Sequence, residues 1–260
     1  MNPENFEYLK EQLKYTGFGD SLSSPLEKAM KEGAPQFQLT FEKEINGKAF
    51  VALLNFRKSS QEDRYFFNSY HATLQRTNGE IVDQAFYINN GKGVTAKEAY
   101  NLLDGRSVYK ELQNKEGQPY QAWLQLDFDK RDKHNNHEVK QFHEGYGYNL
   151  KEALSKFSIT ELDGGEREKQ LLHSLQKGNL QTVGMEKEGS IAVMVVEANP
   201  QYKSINVYDR DLKPVQRESL GVYQKTELGA HTAAEKNQAV QPALEVVRKK
   251  GKEGRSQSKG

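Results

Sequence analysis

The densest concentration of groups able to do chemistry is Asp127, Asp129, Asp132, His134, His137, His143 and Glu144. Carboxylates and imidazoles this close in sequence could bind a divalent metal or exchange protons. Their setting argues against it. His134 and His137 fall in or beside a charged stretch, Lys130-Arg131-Asp132-Lys133-His134-Asn135-Asn136, that reads as a flexible connection between strands. Metal ligands need rigid support and outer hydrogen bonds that orient them. No metal site and no catalytic residue is expected here, and a metal-dependent hydrolase or nuclease at Asp127 to Glu144 stands only as an alternative.

Asn89-Asn90-Gly91-Lys92-Gly93-Val94-Thr95 joins a strand to a helix start, a place where backbone N–H groups and the helix dipole can hold phosphate. The phosphate loop pattern G-x-x-x-x-G-K-[ST] is not met, so a glycine turn feeding a Thr95 cap is expected. Gly17-Phe18-Gly19 and Gly145-Tyr146-Gly147 are loop punctuation. The chain has no cysteine and no G-x-S-x-G elbow, which leaves covalent catalysis without a nucleophile. A non-enzymatic protein that needs no cofactor is expected.

Tyr65, Phe66, Phe67 and Tyr70 beside Arg57, Lys58 and Arg64 resemble the rings and cations of a single-strand nucleic-acid platform. Strand alternation places only half of those rings on one face, so they are expected to pack beneath a helix. Trp123, the only tryptophan, sits in mid-strand and is expected in the core. Nucleic acid, if contacted, is assigned to the carboxyl-terminal tail through Arg248, Lys249, Lys250, Lys252, Arg255 and Lys259, opposed there by Glu253 alone. The tail is therefore +5 and residues 1 to 247 are −4, which makes binding by the body's general field unfavourable.

The elements that would position these groups recur. Amphipathic helices over 22–32, 96–104 and 166–177 each run into a glycine, at Gly33, Gly105 and Gly178, spaced 72 and 73 residues apart. Glycine after the last turn is the left-handed stop signal of a helix. Each glycine is followed by a β-hairpin pattern with a polar glycine turn (Asn46-Gly47-Lys48, Lys115-Glu116-Gly117, Lys187-Glu188-Gly189) and then a third strand. The fold class is α+β: three repeated helix plus antiparallel three-stranded units (α-β-β-β) with a disordered carboxyl-terminal tail. The expected divisions are a helical segment over 1–20, units over 21–94 (with an extra hairpin at Thr77-Asn78-Gly79-Glu80), 95–160 and 161–224, and a basic tail over 225–260. Capping patterns are expected at Ser24-Pro25-Leu26-Glu27, Thr95-Ala96-Lys97-Glu98 and Asn149-Leu150-Lys151-Glu152.

Hydrophobic residues make up 35% of the chain and charged residues 28%, so each core is thin and units of about 70 residues should lean on each other. Tyr and Phe, 25 in all, supply much of the apolar area. The absence of cysteine, of a basic-then-apolar leader and of any run of about 18 apolar residues leads to an expected cytoplasmic location with no membrane contact.

Three stretches carry a resemblance: 100–108 with 114–128 (NKEGQPYQAWLQLDF), the opening 1–10 with 15–19, and 197–209 (EANPQYKSINVYD). Over about residues 1 to 210 the chain is similar to an uncharacterised family found in conjugative mobile elements of Bacteroidota. The resemblance implies a setting among DNA-processing genes and brings no catalytic residues. The expectation is a binding or adaptor protein of a mobile element, contacting a protein partner and DNA through its tail. An inhibitor or decoy of a host defence or rival-element protein is the alternative.

Overall fold

Asn2 accepts the N–H of Asn5 and Pro3 follows it in the first helical turn, so helix α1 (Pro3–Tyr15) starts at a capping residue. Leu9 and Leu13, one turn apart, face the core. A computed structural model describes residues 1 to 187 and 189 to 223. After α1 come helix α2 (Ser23–Glu32) and four strands, β1 (Gln36–Ile45), β2 (Lys48–Lys58), β3 (Tyr65–Gln75) and β4 (Ile81–Tyr87). These strands form an antiparallel meander in chain order. Helix α3 (Ala96–Leu103) leads to a second meander, β5 (Val108–Gln113), β6 (Pro119–Arg131) and β7 (His137–His143). Helices α4 (Leu150–Ser155) and α5 (Glu166–Gln176) precede a third, β8 (Gln181–Lys187), β9 (Ser190–Asn199) and β10 (Ser204–Tyr208), and a short α6 (Arg217–Leu220) follows. The architecture is mixed α and β, with three antiparallel sheets.

The glycine stops are as expected: Gly33, Gly105 and Gly178 all have positive φ. At α3 and α5 the hydrogen bonds are those of a Schellman end, Arg106 N–H to the Asn101 carbonyl with Gly105 to Leu102, and Asn179 to Ser174 with Gly178 to Leu175. Helix α1 ends in the same way, Phe18 to Leu13 with Gly17 to Lys14.

Two expectations need correction. Helix α2 begins at Ser23 with Leu22 as its cap residue and no capping side chain, not at Ser24. Burying Leu22, 5% exposed, in the core outweighs a cap of about 1 kcal/mol. In β3 the buried set switches from Tyr65 and Phe67 to Tyr70, Ala72 and Leu74, a gap of three residues. The cause is a bulge: Asn55 pairs with Ser69 but Phe56 with Phe67, leaving Asn68 as the extra residue.

Two hydrophobic cores result. The first joins α1, α2 and α3 to the inner face of the four-stranded sheet and extends to Val108, Ala122, Leu124 and Leu126. The second gathers α4, α5 and the third sheet around Trp123, with Tyr109 and Phe142 packed against it. Strand β6 thus gives Ala122, Leu124 and Leu126 to one core and Trp123 to the other. The middle sheet is a wall shared by both.

Candidate functional site

Asn46 and Gly47, both at positive φ (52° and 74°), form the two-residue turn between β1 and β2. Ile45 and Lys48 are therefore a hydrogen-bonded pair, and alternate residues back along β1 (43, 41, 39, 37) turn their amides toward β2. The N–H and C=O groups of Gln36, Gln38, Thr40, Glu42 and Glu44 point away from the sheet. All five residues are exposed, and among the described residues no backbone group crosses that edge to bond them. The ten pairs of β1 with β2 run without a shift, and β1 contains no proline. It is a long, regular, open edge.

The outer edges of β4, β8 and β10 are each engaged within the chain. The Ala85 N–H of β4 is taken by the Asn136 side chain at 3.0 Å. Strand β8 is covered by the segment around Ser158 to Thr160, which accepts from Glu186 and donates to Gly184. On β10, Val215 donates to Val207. The side chains of the open edge are distinctive: Glu42 and Glu44 carry charge on the outer face, while Phe37, Leu39, Phe41 and Ile45 belong to or pack against the first core. A polar ladder of Gln38, Asn55 and Ser69 continues inward on the outer face at 2.7 and 3.2 Å. Leu53, Phe66, Ile81 and Tyr87 are scattered, exposed apolar residues on that face or its margin.

The sequence candidates are dispersed. Among the described residues no three histidines or carboxylates come together to hold a metal. Asp127 pairs with Lys140 at 3.2 Å; burial opposes its ionisation, yet Lys140 and the Asp129 N–H outweigh that and hold it below the usual carboxylate range. The loop read as flexible is an ordered turn, with Asp132 accepting from His134 and Asn136. It docks on β4 through Asn136 and through His137, whose N–H donates to Gln84 Oε1 at 2.8 Å. His137 is buried against Phe128 with both ring nitrogens unpartnered, and burial with nearby Arg131 pushes its imidazole below the ordinary histidine value. His143 lies beside the Tyr120 ring.

The Asn89 to Thr95 loop is structural. Thr95 and Glu98 form a reciprocal capping box, and the Ala96 N–H is taken by the Thr16 carbonyl. Tyr65, Phe67 and Tyr70 are core residues and Phe66 alone of that group is exposed, so no aromatic platform forms. The tail residues Arg248, Lys249, Lys250, Lys252, Arg255 and Lys259 lie outside the described residues.

Sequence reasoning missed two clefts. One, of about 340 Å³, has Lys48, Asp104, Arg106, Glu197 and Tyr208 in its walls. Its charges are paired within the protein, with the buried Arg106 Nε alone left without a hydrogen-bond partner among those groups. Asp104 holds Lys48 at 2.5 Å and Arg106 at 2.6 Å, and Glu197 accepts from Asn206 and Tyr208, each at 2.7 Å. Burial and Glu197 both raise the Tyr208 phenol, which stays protonated as a donor. The other cleft, of about 500 Å³, lies between β5, β6 and the helices α4 and α5, with Tyr109, Trp123 and Tyr148 in its walls. Neither was legible because its residues come from segments far apart in sequence.

Fold and site together define a mixed α/β protein of three meander sheets with a ten-residue open edge along β1. No protein family, curated protein or solved structure matches this chain. Among the described residues, no helix is long and apolar enough to cross a membrane.

Proposed function

We propose that this chain is a non-enzymatic binding protein that takes an extended segment of a protein partner onto the open edge of β1, adding a fifth strand to the first sheet. The observation that carries this reading is the row of exposed amides at Gln36, Gln38, Thr40, Glu42 and Glu44, which no backbone group among the described residues bonds, along the ten-residue regular strand β1. Main-chain hydrogen bonds would give affinity and alternate side chains specificity. The complementary strand carries basic residues opposite Glu42 and Glu44 and apolar residues on the face that extends Phe37, Leu39 and Phe41. The internal pairing of Lys48 and Arg106 with Asp104 in the polar cleft and the dispersal of the Asp127 to Glu144 groups support a binding role over an enzymatic one.

The reading takes the three helix-plus-meander segments as copies of one α-β-β-β unit, supported by the glycine stops at 33, 105 and 178. The resemblance to the Bacteroidota family supplies the setting, an adaptor within a conjugative mobile element, and the charge of 248–260 supplies a DNA-binding role for the tail.

Thr40→Pro tests the strand addition. Its N–H points outward, so proline removes a donor without breaking the ladder to β2. Peptides selected from a random library on the full chain are expected to slow amide exchange over residues 36 to 44 and to lose binding in Thr40→Pro. Thermal stability should stay within about 1 kcal/mol of wild type. Peptides that protect another region, or bind Thr40→Pro equally well, contradict the assignment, and protection of 36 to 44 by a second copy of the chain would make self-pairing the function of this edge.

A further inference from the structure

The cleft beneath β5 and β6 is built from groups that suit one kind of ligand. The Tyr109 and Trp123 rings lie 5.3 Å apart and tilted, and Trp123 meets Tyr148 edge-on at 5.4 Å. Tyr148 is fixed by its hydroxyl, which donates to the Ser204 carbonyl at 3.0 Å. Two exposed carboxylates, Glu144 and Glu152, join these rings in the lining, and the one cation there, Lys151, is drawn to Glu168 at 2.6 Å. Burial raises the Tyr109 phenol and Glu144 raises it further, so the carboxylate acts at the ring. A neighbouring ring already hosts a cation: Lys203 Nζ sits 4.8 Å over Tyr146.

We infer that this cleft is a binding site for an alkylated ammonium group, held against the Tyr109 and Tyr148 rings over a floor formed by the edge of the buried Trp123, with Glu144 and Glu152 as counter-charges. Aromatic faces attract a cation through their quadrupole, and an alkylated ammonium gives up its weak hydration more readily than a bare one. A volume of about 500 Å³ is sufficient for such a head group. The site is distinct from the β1 edge and independent of the strand-addition reading. The same chemistry is offered by free choline-type molecules and by a trimethylated lysine side chain.

Trp123 is the only tryptophan, so the fluorescence of the full chain reports on this cleft without labelling. Choline, a trimethyl-lysine peptide and the neutral isostere 3,3-dimethylbutanol are titrated at constant ionic strength. Saturable change with either cation and none with the isostere is expected, the tighter of the two cations identifying the source. Glu144→Gln, an exposed and fold-neutral change, should weaken binding about tenfold, and Tyr109→Leu should do the same by removing a ring. Equal response to the isostere, no response to any of the three, or a cation response unchanged by Glu144→Gln combined with Glu152→Gln overturns the assignment.

Discussion

Glu98 is 1% exposed and stays charged because three groups converge on it. Lys110 lies at 3.0 Å, Lys177 at 2.9 Å, and the Thr95 N–H donates at 2.9 Å. Burial alone would raise its carboxyl; Lys110, Thr95 and Lys177 together outweigh that and lower it. A lowered value in the folded state means the contribution is complete above the ordinary glutamate value of about 4.3 and is lost as pH falls through the depressed folded value. Glu98→Gln should therefore cost about 3 kcal/mol in urea unfolding at pH 7, since two lysines lose their counter-charge. The gap to wild type should narrow near pH 3.5; an equal gap at both pH values would mean that charge is not its origin. The sequence showed Glu98 as the N3 residue of a capping box and no more. Lys177 is 79 positions away, and only the docking of the carboxyl end of α5 on Asn101 of α3 brings it in.

At the level of elements, what was legible is what local chemistry decides. Helix ends at 33, 105 and 178 were readable because a left-handed residue there needs glycine. The β1 to β2 turn was readable because Asn46 and Gly47 accept positive φ. The start of α2 and the switch of face in β3 were not readable, since tertiary burial of Leu22 and the Asn68 bulge overrode local preference. The same distinction separates the glycines themselves. At Gly33 an added Cβ would meet nothing within 4 Å, whereas at Gly178 it would come within 2.8 Å of the Ser107 carbonyl and 3.0 Å of Asn101 and Val108. Gly33→Ala should cost about 1 kcal/mol from backbone strain alone. Gly178→Ala should cost at least about 1 kcal/mol more, because α5 must shift off α3 and disturb Asn101, which bonds the Lys177 carbonyl at 2.6 Å. Urea midpoints of the two variants decide the matter, and equal losses would show that the α3 and α5 junction yields freely.

For the whole molecule, the seventy-residue period suggested small units leaning on each other but not how they do so. The answer lies in β6, where Ala122, Trp123 and Leu124 are all buried in sequence, against the alternation of a strand with one wet face. Arg76 adds a second tie, its guanidinium 3.9 Å over Phe128 while it donates to the Leu103 carbonyl at the end of α3. Neither core can lose the middle sheet and remain closed, so the described body should unfold as one cooperative unit. Trp123 fluorescence reports the second core and the middle sheet, and far-ultraviolet circular dichroism reports all three sheets. Their urea transitions are expected to coincide in midpoint and slope. Leu124→Ala, which opens a cavity on the first-core face of β6, should lower both midpoints together by about 2 to 4 kcal/mol equivalent. A variant in which the dichroism midpoint falls while Trp123 stays native would show the two cores to be independent, with the shared wall a contact and not a coupling.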